Sequence, residues 1–160
     1  MRRKTFFRTN AVLVTILLLS LIFAWQTSAQ EAVSAPMHRI QVFDAEEVAA
    51  SANASGPTAP NAYIDFSDYN GVMGNFSLQY TITGDGTCKF EYLMSNDNTN
   101  YLEPSTADDI GSGLTKTSGP ASDGKDILYF NPEIADRMKI KVTETGGANS
   151  VTVTAWLVFQ

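Results

Sequence analysis

Oxygen-bearing side chains that suit a hard cation are concentrated in two short stretches of the chain. Asp97 lies in the polar run 95–100, and Asp108 and Asp109 follow it closely. Calcium prefers carboxylate and amide oxygens, although the same residue types also build turns by hydrogen-bonding to their own backbone. The run lacks the ligand spacing of a calcium loop. We therefore predict no bound metal or cofactor, and we name these three aspartates as the positions that a calcium ion would use.

Few residues of this chain suit nucleophilic catalysis or zinc binding. It has one histidine, His38, and one cysteine, Cys88, whereas a stable zinc site needs three or four such ligands. His38 falls in a segment that we expect to be a tether, where nothing would orient its ring for catalysis. Cys88 falls on the inward face of a predicted strand, so we expect it to pack in the core. The alternative for Cys88 is an intermolecular disulfide.

Carboxylates are numerous, since the chain contains 17 Asp and Glu residues. A glycoside hydrolase needs two carboxyl groups that face each other across a cleft. The acidic residues fall mostly in turns or on the polar faces of predicted strands, and no facing pair is visible. We predict that the protein is not an enzyme. The remote alternative to this prediction is a small glycan hydrolase.

Three aromatic residues are candidates for contact with a ligand or another subunit. Trp156 lies on the polar face of the last predicted strand, and Tyr69 and Tyr101 fall in predicted loops. Flat rings bury a large area at a small entropic cost, which suits both sugar stacking and subunit contact. The alternative for Trp156 is that the N-terminal segment or a long loop covers its ring.

Residues 1–29 have the pattern of an export signal. A basic start is followed by an apolar run from residue 11 to residue 25, and the segment ends on the small residue Ala29. The run is about 15 residues long, whereas crossing a bilayer takes about 20. We predict a cleaved signal peptide and a secreted or periplasmic protein. The alternative is a protein anchored in the membrane by an uncleaved N-terminal segment.

The charge of the exported part argues against two classes of partner. Of the 11 Lys and Arg, four lie in the predicted signal, which leaves seven against 17 Asp and Glu and a formal charge of −10. Binding to nucleic acid or to anionic lipid normally depends on clustered Lys and Arg that neutralise phosphate charge. We therefore predict no nucleic-acid partner, and no membrane contact beyond the signal segment.

The exported part divides into a tether and a β-rich domain. Residues 30–61 are rich in Ala, Ser and Pro, and only residues 39–43 have the pattern of a short strand. From residue 62 to residue 160 the hydrophobic period becomes two, which is typical of half-buried strands. Residues 76–83 and 88–94 alternate on either side of a Gly-rich turn, as do residues 138–143 and 151–159. These patterns predict two β-hairpins.

Two weaker strands, at residues 62–66 and 126–130, complete the predicted domain. Residues 102–125 contain many Gly, Ser, Thr and Asp residues, so we expect a long mobile loop there. Seven or eight short strands with no helices between them predict an all-β fold, an antiparallel β-sandwich or jelly roll. A signal peptide and a flexible N-terminal segment precede it.

Several short pieces of the domain have counterparts in known proteins. Through residues 74–79, 95–97, 138–144 and 153–157, the stretch 76–159 resembles small secreted or phage-associated bacterial β-sandwich proteins. A Ser-x-Asp turn, a later Phe-x-Pro and a basic-flanked strand, in this order, are also similar to discoidin-type, galactose-binding-like sandwiches. Arg137 keeps the basic position of that pattern, and its cysteine pair is absent. The resemblance implies a β-sandwich fold and identifies no ligand residues.

Two functional hypotheses follow from these observations. The first is an exported, non-catalytic module with a structural, adhesive or assembly role at or outside the cell surface, whose partner is a second copy or another surface protein. The alternative is a carbohydrate-binding module, whose partner is a polysaccharide. Exposed aromatic rings suit both hypotheses, so only the arrangement of the rings in space can separate them.

Overall fold

The computed structural model describes residues 36–57, 63–69 and 74–160. The predicted signal peptide, residues 1–29, lies outside the described residues. Within them the chain forms nine β-strands and one short 3-10 helix, Phe66–Asp68. The strands are β1 His38–Val48, β2 Asn53–Gly56, β3 Ile64–Asp65, β4 Phe76–Gly84, β5 Cys88–Ser95, β6 Gly111–Leu114, β7 Lys125–Phe130, β8 Arg137–Glu144 and β9 Val151–Phe159.

The strands form two antiparallel sheets. Sheet A has the strand order β1-β9-β4-β7, and sheet B has the order β2-β8-β5-β6, with β3 also pairing with β8. This arrangement confirms the predicted all-β, antiparallel sandwich, with nine strands rather than seven or eight. No helix among the described residues is long and apolar enough to cross a membrane.

The inner faces of the two sheets form one hydrophobic core. In β4 and β8 buried residues alternate with partly exposed ones, and in β9 the alternation continues without a break from Val151 to Phe159. Successive side chains of a strand point to opposite faces, so a period of two in the sequence places every second residue in the core. Cys88, Phe90, Tyr92 and Met94 of β5 are buried as predicted.

The two predicted hairpins are wrong. β4 lies in sheet A and pairs with β7 and β9, whereas β5 lies in sheet B and pairs with β6 and β8. β8 and β9 are likewise in different sheets. The chain therefore crosses from one sheet to the other at both Gly-rich turns. A period of two identifies the buried face of a strand but does not identify the strand with which it forms hydrogen bonds. The alternation in the sequence therefore could not show that these strands lie in different sheets.

The segment expected to be a tether contributes two strands to the sandwich. β1 extends well beyond the predicted residues 39–43 and pairs with β9 along its length, and β2 pairs with β8. Two irregularities interrupt the register of β1, one between Gln41 and Phe43 and one between Phe43 and Glu46. Each shifts the alternation of side chains, so the sequence of β1 does not show an unbroken period of two.

The region expected to be a mobile loop is also built into the fold. Leu102 forms an isolated bridge with Met94, and β6 pairs with β5. The turn after β6 is held by backbone hydrogen bonds from Ser118 N–H to the Thr115 carbonyl and from Gly124 N–H to the Ser118 carbonyl. Short Gly-rich strands such as β6 have no hydrophobic pattern to reveal them.

Candidate binding surface

The outer side of sheet A is the most distinctive exposed surface of the described chain, and we call it the A face. It is formed by the outward positions of β4, β7 and β9 and the first part of β1. These are Arg39, Gln41, Ser77, Gln79, Thr81, Thr83, Lys125, Ile127, Tyr129, Thr152, Thr154, Trp156 and Val158. None of the listed positions is acidic, but Glu47 lies on the same side of the sheet at the far end of β1, opposite Thr152.

Trp156 occupies the middle of the A face. The strand register places Gln41 of β1 on one side of it and Gln79 of β4 on the other. Directly opposed residues on neighbouring strands have Cβ atoms about 5 Å apart, so the two amides flank the indole ring. The ring is half-buried, and the guanidinium carbon of Arg39 lies 4.9 Å from its centroid. This is the arrangement of a cation–π contact.

The β7 side of the A face is apolar. Ile127 is 49% exposed and Tyr129 is 83% exposed. Tyr129 also lines an open depression of about 520 Å³, together with Met37, Ser77, Val158 and residues at the ends of three strands. Contiguous apolar patches are typical of surfaces where a partner or ligand binds, and Ile127 and Tyr129 make this edge of the face a candidate.

The other two aromatic candidates do not join Trp156. The ring centroid of Tyr69 lies 4.6 Å from that of His38 and 5.0 Å from that of Phe159, so Tyr69 packs against the core. Tyr101 lies against sheet B, with the Lys139 Nζ 3.9 Å from its ring centroid. The structure therefore leaves Trp156 as the candidate on the A face, and adds Tyr129, which the sequence analysis did not select.

The expectation for His38 is also corrected. Its ring stacks on Phe159 at a centroid distance of 5.4 Å and meets Tyr69 edge to face. The residue begins β1 rather than lying in a tether, and so its ring is held among aromatic neighbours. The buried Nε2 of His38 has no hydrogen-bond partner among the described residues, so we assign His38 a packing role.

Asp97 organises a turn through its carboxylate oxygens. Its Oδ1 accepts hydrogen bonds from Ser95 Oγ at 3.0 Å, Thr99 N at 2.9 Å and Asn100 N at 2.8 Å. Its Oδ2 accepts one from Asn100 Nδ2 at 2.6 Å. The backbone N–H groups of Asn100 and Thr99 hold the pKa of the carboxyl well below its usual range. These bonds occupy both oxygens of Asp97.

The structure does not group the three predicted calcium residues. Among the described residues, the group of acidic side chains with ligand atoms within 4.8 Å of one another is Glu91, Glu103 and Asp109. Asp97 and Asp108 are not members of this group. The clustering of Asp109 with Glu91 depends on the return of the chain after β5, which sequence spacing does not reveal.

Glu91 is the buried member of this group, and lysines already neutralise it. Its side chain accepts from Lys89 Nζ at 2.6 Å and from Lys141 Nζ at 3.0 Å, and it is 3% exposed as a residue. Burial acts to raise the pKa of Glu91, but the two lysines outweigh burial and lower it. A glycosidase general acid needs a raised pKa, so Glu91 does not have the electrostatics of a general acid.

Comparison with known proteins gives fold-level similarities. No protein-family model matches the sequence, and no curated protein sequence matches it. A structure of PliG from Aeromonas hydrophila, a periplasmic inhibitor of g-type lysozyme, has 12% identity and a TM-score of 0.38 over 82% of this chain and 93% of that chain. The CBM22-1 xylan-binding domain of Xyn10C from Paenibacillus barcinonensis has 9% identity and a TM-score of 0.39 over 80% and 96%.

A third similar structure belongs to a larger protein. VP2 of the infectious bursal disease virus subviral particle has 13% identity and a TM-score of 0.43, over 79% of this chain and 32% of that chain. The β-sandwich part of the predicted resemblance agrees with the two antiparallel sheets described above. The discoidin-type pattern remains a prediction.

Proposed function

We propose that the chain is an exported, non-catalytic module that adheres to polysaccharide through the A face. The observation that supports this proposal is the position of Trp156 between the amides of Gln41 and Gln79, on a face whose outward strand positions include one acidic residue, Glu47, at the far end of β1. Secretion or a periplasmic location is part of the proposal, and it depends on the predicted signal.

The chemistry of the A face suits sugar. The C–H groups of a pyranose ring pack on an aromatic ring, and its hydroxyl groups exchange hydrogen bonds with amides and hydroxyls. A sugar would stack beside the Arg39 guanidinium or displace it from the Trp156 ring, and uncharged residues around Trp156 supply the hydrogen-bonding groups. They are Gln41, Gln79, Ser77, Thr81, Thr83, Thr152 and Thr154.

The shape of the A face favours a polymer over a small molecule. Sites for small molecules are concave and bury most of the ligand. The A face is the exposed side of a four-stranded sheet, so a single sugar would bury little of its surface there. A chain of sugars crossing several strands would gain contacts from each of them.

The non-catalytic part of the proposal follows from the side chains present. The outward positions around Trp156 include no Asp, Glu, His or Cys, and Glu47 at the far end of β1 is a single carboxylate, so a sugar bound at Trp156 would not lie between a pair of carboxyl groups. The buried carboxylate of Glu91 lies on the other sheet and is paired with Lys89 and Lys141.

A polysaccharide titration tests the proposal. Trp25 lies in the predicted signal, so Trp156 is the one tryptophan of the exported chain, and its fluorescence reports directly on the A face. We expect at least one neutral polysaccharide of a broad panel to change this fluorescence and to slow the protein in affinity electrophoresis. No binding to any polysaccharide at millimolar sugar would contradict the proposal.

The exposure of Ile127 and Tyr129 favours a second candidate, adhesion to another surface protein through the same face. Aromatic and large aliphatic side chains are enriched at the centres of protein interfaces. A negative polysaccharide panel, together with binding to whole cells that protease treatment abolishes, would favour this candidate.

A further inference from the structure

β7 is an edge strand of sheet A, and half of its backbone groups point away from the sheet. β7 pairs with β4 alone, and Ile82 N–H donates to the Gly124 carbonyl just before β7 begins. Hydrogen-bonded and non-hydrogen-bonded pairs alternate in an antiparallel ladder. Asp126, Leu128 and Phe130 therefore direct their N–H and C=O groups to β4. Lys125, Ile127 and Tyr129 direct theirs to the free edge.

Two N–H groups on this free edge already donate hydrogen bonds to carboxylates of the same chain. Lys125 N donates to Asp123 Oδ1 at 3.2 Å, and Ile127 N donates to Asp126 Oδ1 at 2.8 Å. The preceding loop also covers the beginning of the edge, because Gly119 lies so close to the Lys125 carbonyl oxygen that an added Cβ would overlap it. Among the described residues, no carboxylate accepts a hydrogen bond from Tyr129 N–H.

The exposed part of β7 is complementary to a second copy of itself. When two β7 strands pair antiparallel about a two-fold axis at Leu128, Ile127 of each copy faces the partner's Tyr129. Both residues direct their backbone groups outward, so this register makes four hydrogen bonds. The two most exposed apolar side chains of the strand, Ile127 and Tyr129, then pair across the interface. Contacts of this kind stabilise neighbouring strands.

The hydrogen bond from Ile127 N–H to Asp126 interferes with this pairing. Two of the four hydrogen bonds in the symmetric register are donated by Ile127 N–H, one from each copy, and Asp126 Oδ1 occupies that donor in the single chain. We propose that β7 is a pairing edge for a second copy of this chain, which Asp126 keeps closed by accepting the hydrogen bond of Ile127 N–H. Edge strands need such protection because their unpaired groups recruit other strands.

Sedimentation velocity and light scattering over a wide concentration range test the proposal on the exported chain. Asp126→Ala removes the acceptor, and two recovered hydrogen bonds should lower the dissociation constant of the dimer by about tenfold or more. Asp126→Asn keeps an acceptor oxygen without the charge, and should assemble like the wild type. Asp126→Val removes the acceptor while favouring strand structure, and should repeat the Asp126→Ala result if the Ala variant folds poorly.

A proline separates strand pairing from other modes of association. Tyr129→Pro removes an N–H that points to the free edge, so it leaves the β4 ladder intact. Combined with Asp126→Ala, it should return the dimer to the wild-type dissociation constant. The proposal is overturned by folded Asp126→Ala and Asp126→Val variants that assemble no more tightly than the wild type. Equal dimerisation of Asp126→Asn and Asp126→Ala would overturn it as well. So would a double variant, Asp126→Ala with Tyr129→Pro, that dimerises as tightly as Asp126→Ala alone.

Discussion

The carboxylate of Glu144 accepts a hydrogen bond at 2.8 Å from the backbone N–H of Ser51, a residue 93 positions earlier in the chain. It also accepts from Thr87 N at 3.2 Å, Gly146 N at 2.7 Å and Gly147 N at 2.9 Å. One side chain, 2% exposed, thus joins the turns after β1, β4 and β8. The N–H groups of Ser51 and Gly147, followed by those of Thr87 and Gly146, lower the pKa of Glu144 to about 2 against the opposing effect of burial.

We predict that Glu144→Gln destabilises the fold. The amide has one acceptor oxygen instead of two, and its NH₂ group faces N–H donors that then have no partner. The midpoint of thermal unfolding should fall by about 5–10 °C, measured by circular dichroism. Glu47→Gln, at an exposed position of β1, is the control and should shift the midpoint by no more than about 1 °C. Equal midpoints for the two variants would show that Glu144 does not hold the turns together.

Protonation of Glu144 should lower the stability of the fold at acidic pH. Its pKa is about 2 in the folded chain and 4.5 ordinarily, so the unfolded state binds the proton more readily. The stabilisation is fully present above pH 4.5 and is lost as the pH falls through that value toward about 2. Urea midpoints measured between pH 7 and pH 2 should therefore fall less steeply in Glu144→Gln than in the wild type. Parallel curves would contradict this assignment.

Two glycines with positive φ should respond differently to alanine. Gly113 has φ +67° and no atom within 4 Å of an added Cβ, whereas Gly124 has φ +74° and its Cβ would lie 2.4 Å from the Ile82 carbonyl oxygen. Gly113→Ala should cost about 1 kcal/mol from backbone strain alone. Gly124→Ala should cost about 3 kcal/mol or more because overlap adds to that strain. Urea unfolding of both variants measures the difference, and equal costs would contradict it.

Cys88 should be unreactive in the folded chain. Burial, followed by the charge of Glu144, raises the pKa of its thiol to about 12, and the side chain is fully buried. Thiolate is the reactive form, so labelling by a disulfide reagent at pH 8 should be at least about a hundredfold slower than in guanidinium-unfolded protein. Rapid labelling of the folded chain, or a reductant-sensitive dimer, would instead support the intermolecular disulfide.

Polysaccharide binding should depend on the middle of the A face. Trp156→Ala and Gln79→Ala should each weaken binding to the polysaccharide selected in the panel, the first by about tenfold or more because it removes the stacking surface. Affinity electrophoresis suits this comparison because it does not rely on tryptophan fluorescence. Asn53→Ala removes an exposed amide from β2 of sheet B and should leave binding unchanged. Similar losses in all three variants would point away from the A face.

Much of the strand content could be predicted because it depends on local patterning. The alternation in β4, β5, β8 and β9 identified which residues enter the core, including Cys88 and Leu157. β1 was underestimated because its register irregularities shift the alternation, and β6 was missed because Gly111–Leu114 has no alternating pattern. Trp156 was found as an outward residue of a strand, whereas its flanking amides were not.

The sequence by itself determined that the domain is an all-β sandwich, because burying one face of each strand requires apolar residues at every second position. Only the tertiary structure decided which strands are neighbours. Pairing is a relationship between distant segments, and the same alternating strand fits a hairpin or a crossing between sheets equally well. The contact of Glu144 with Ser51, the setting of Trp156 between Gln41 and Gln79, and the exposure of β7 at an edge all follow from that pairing.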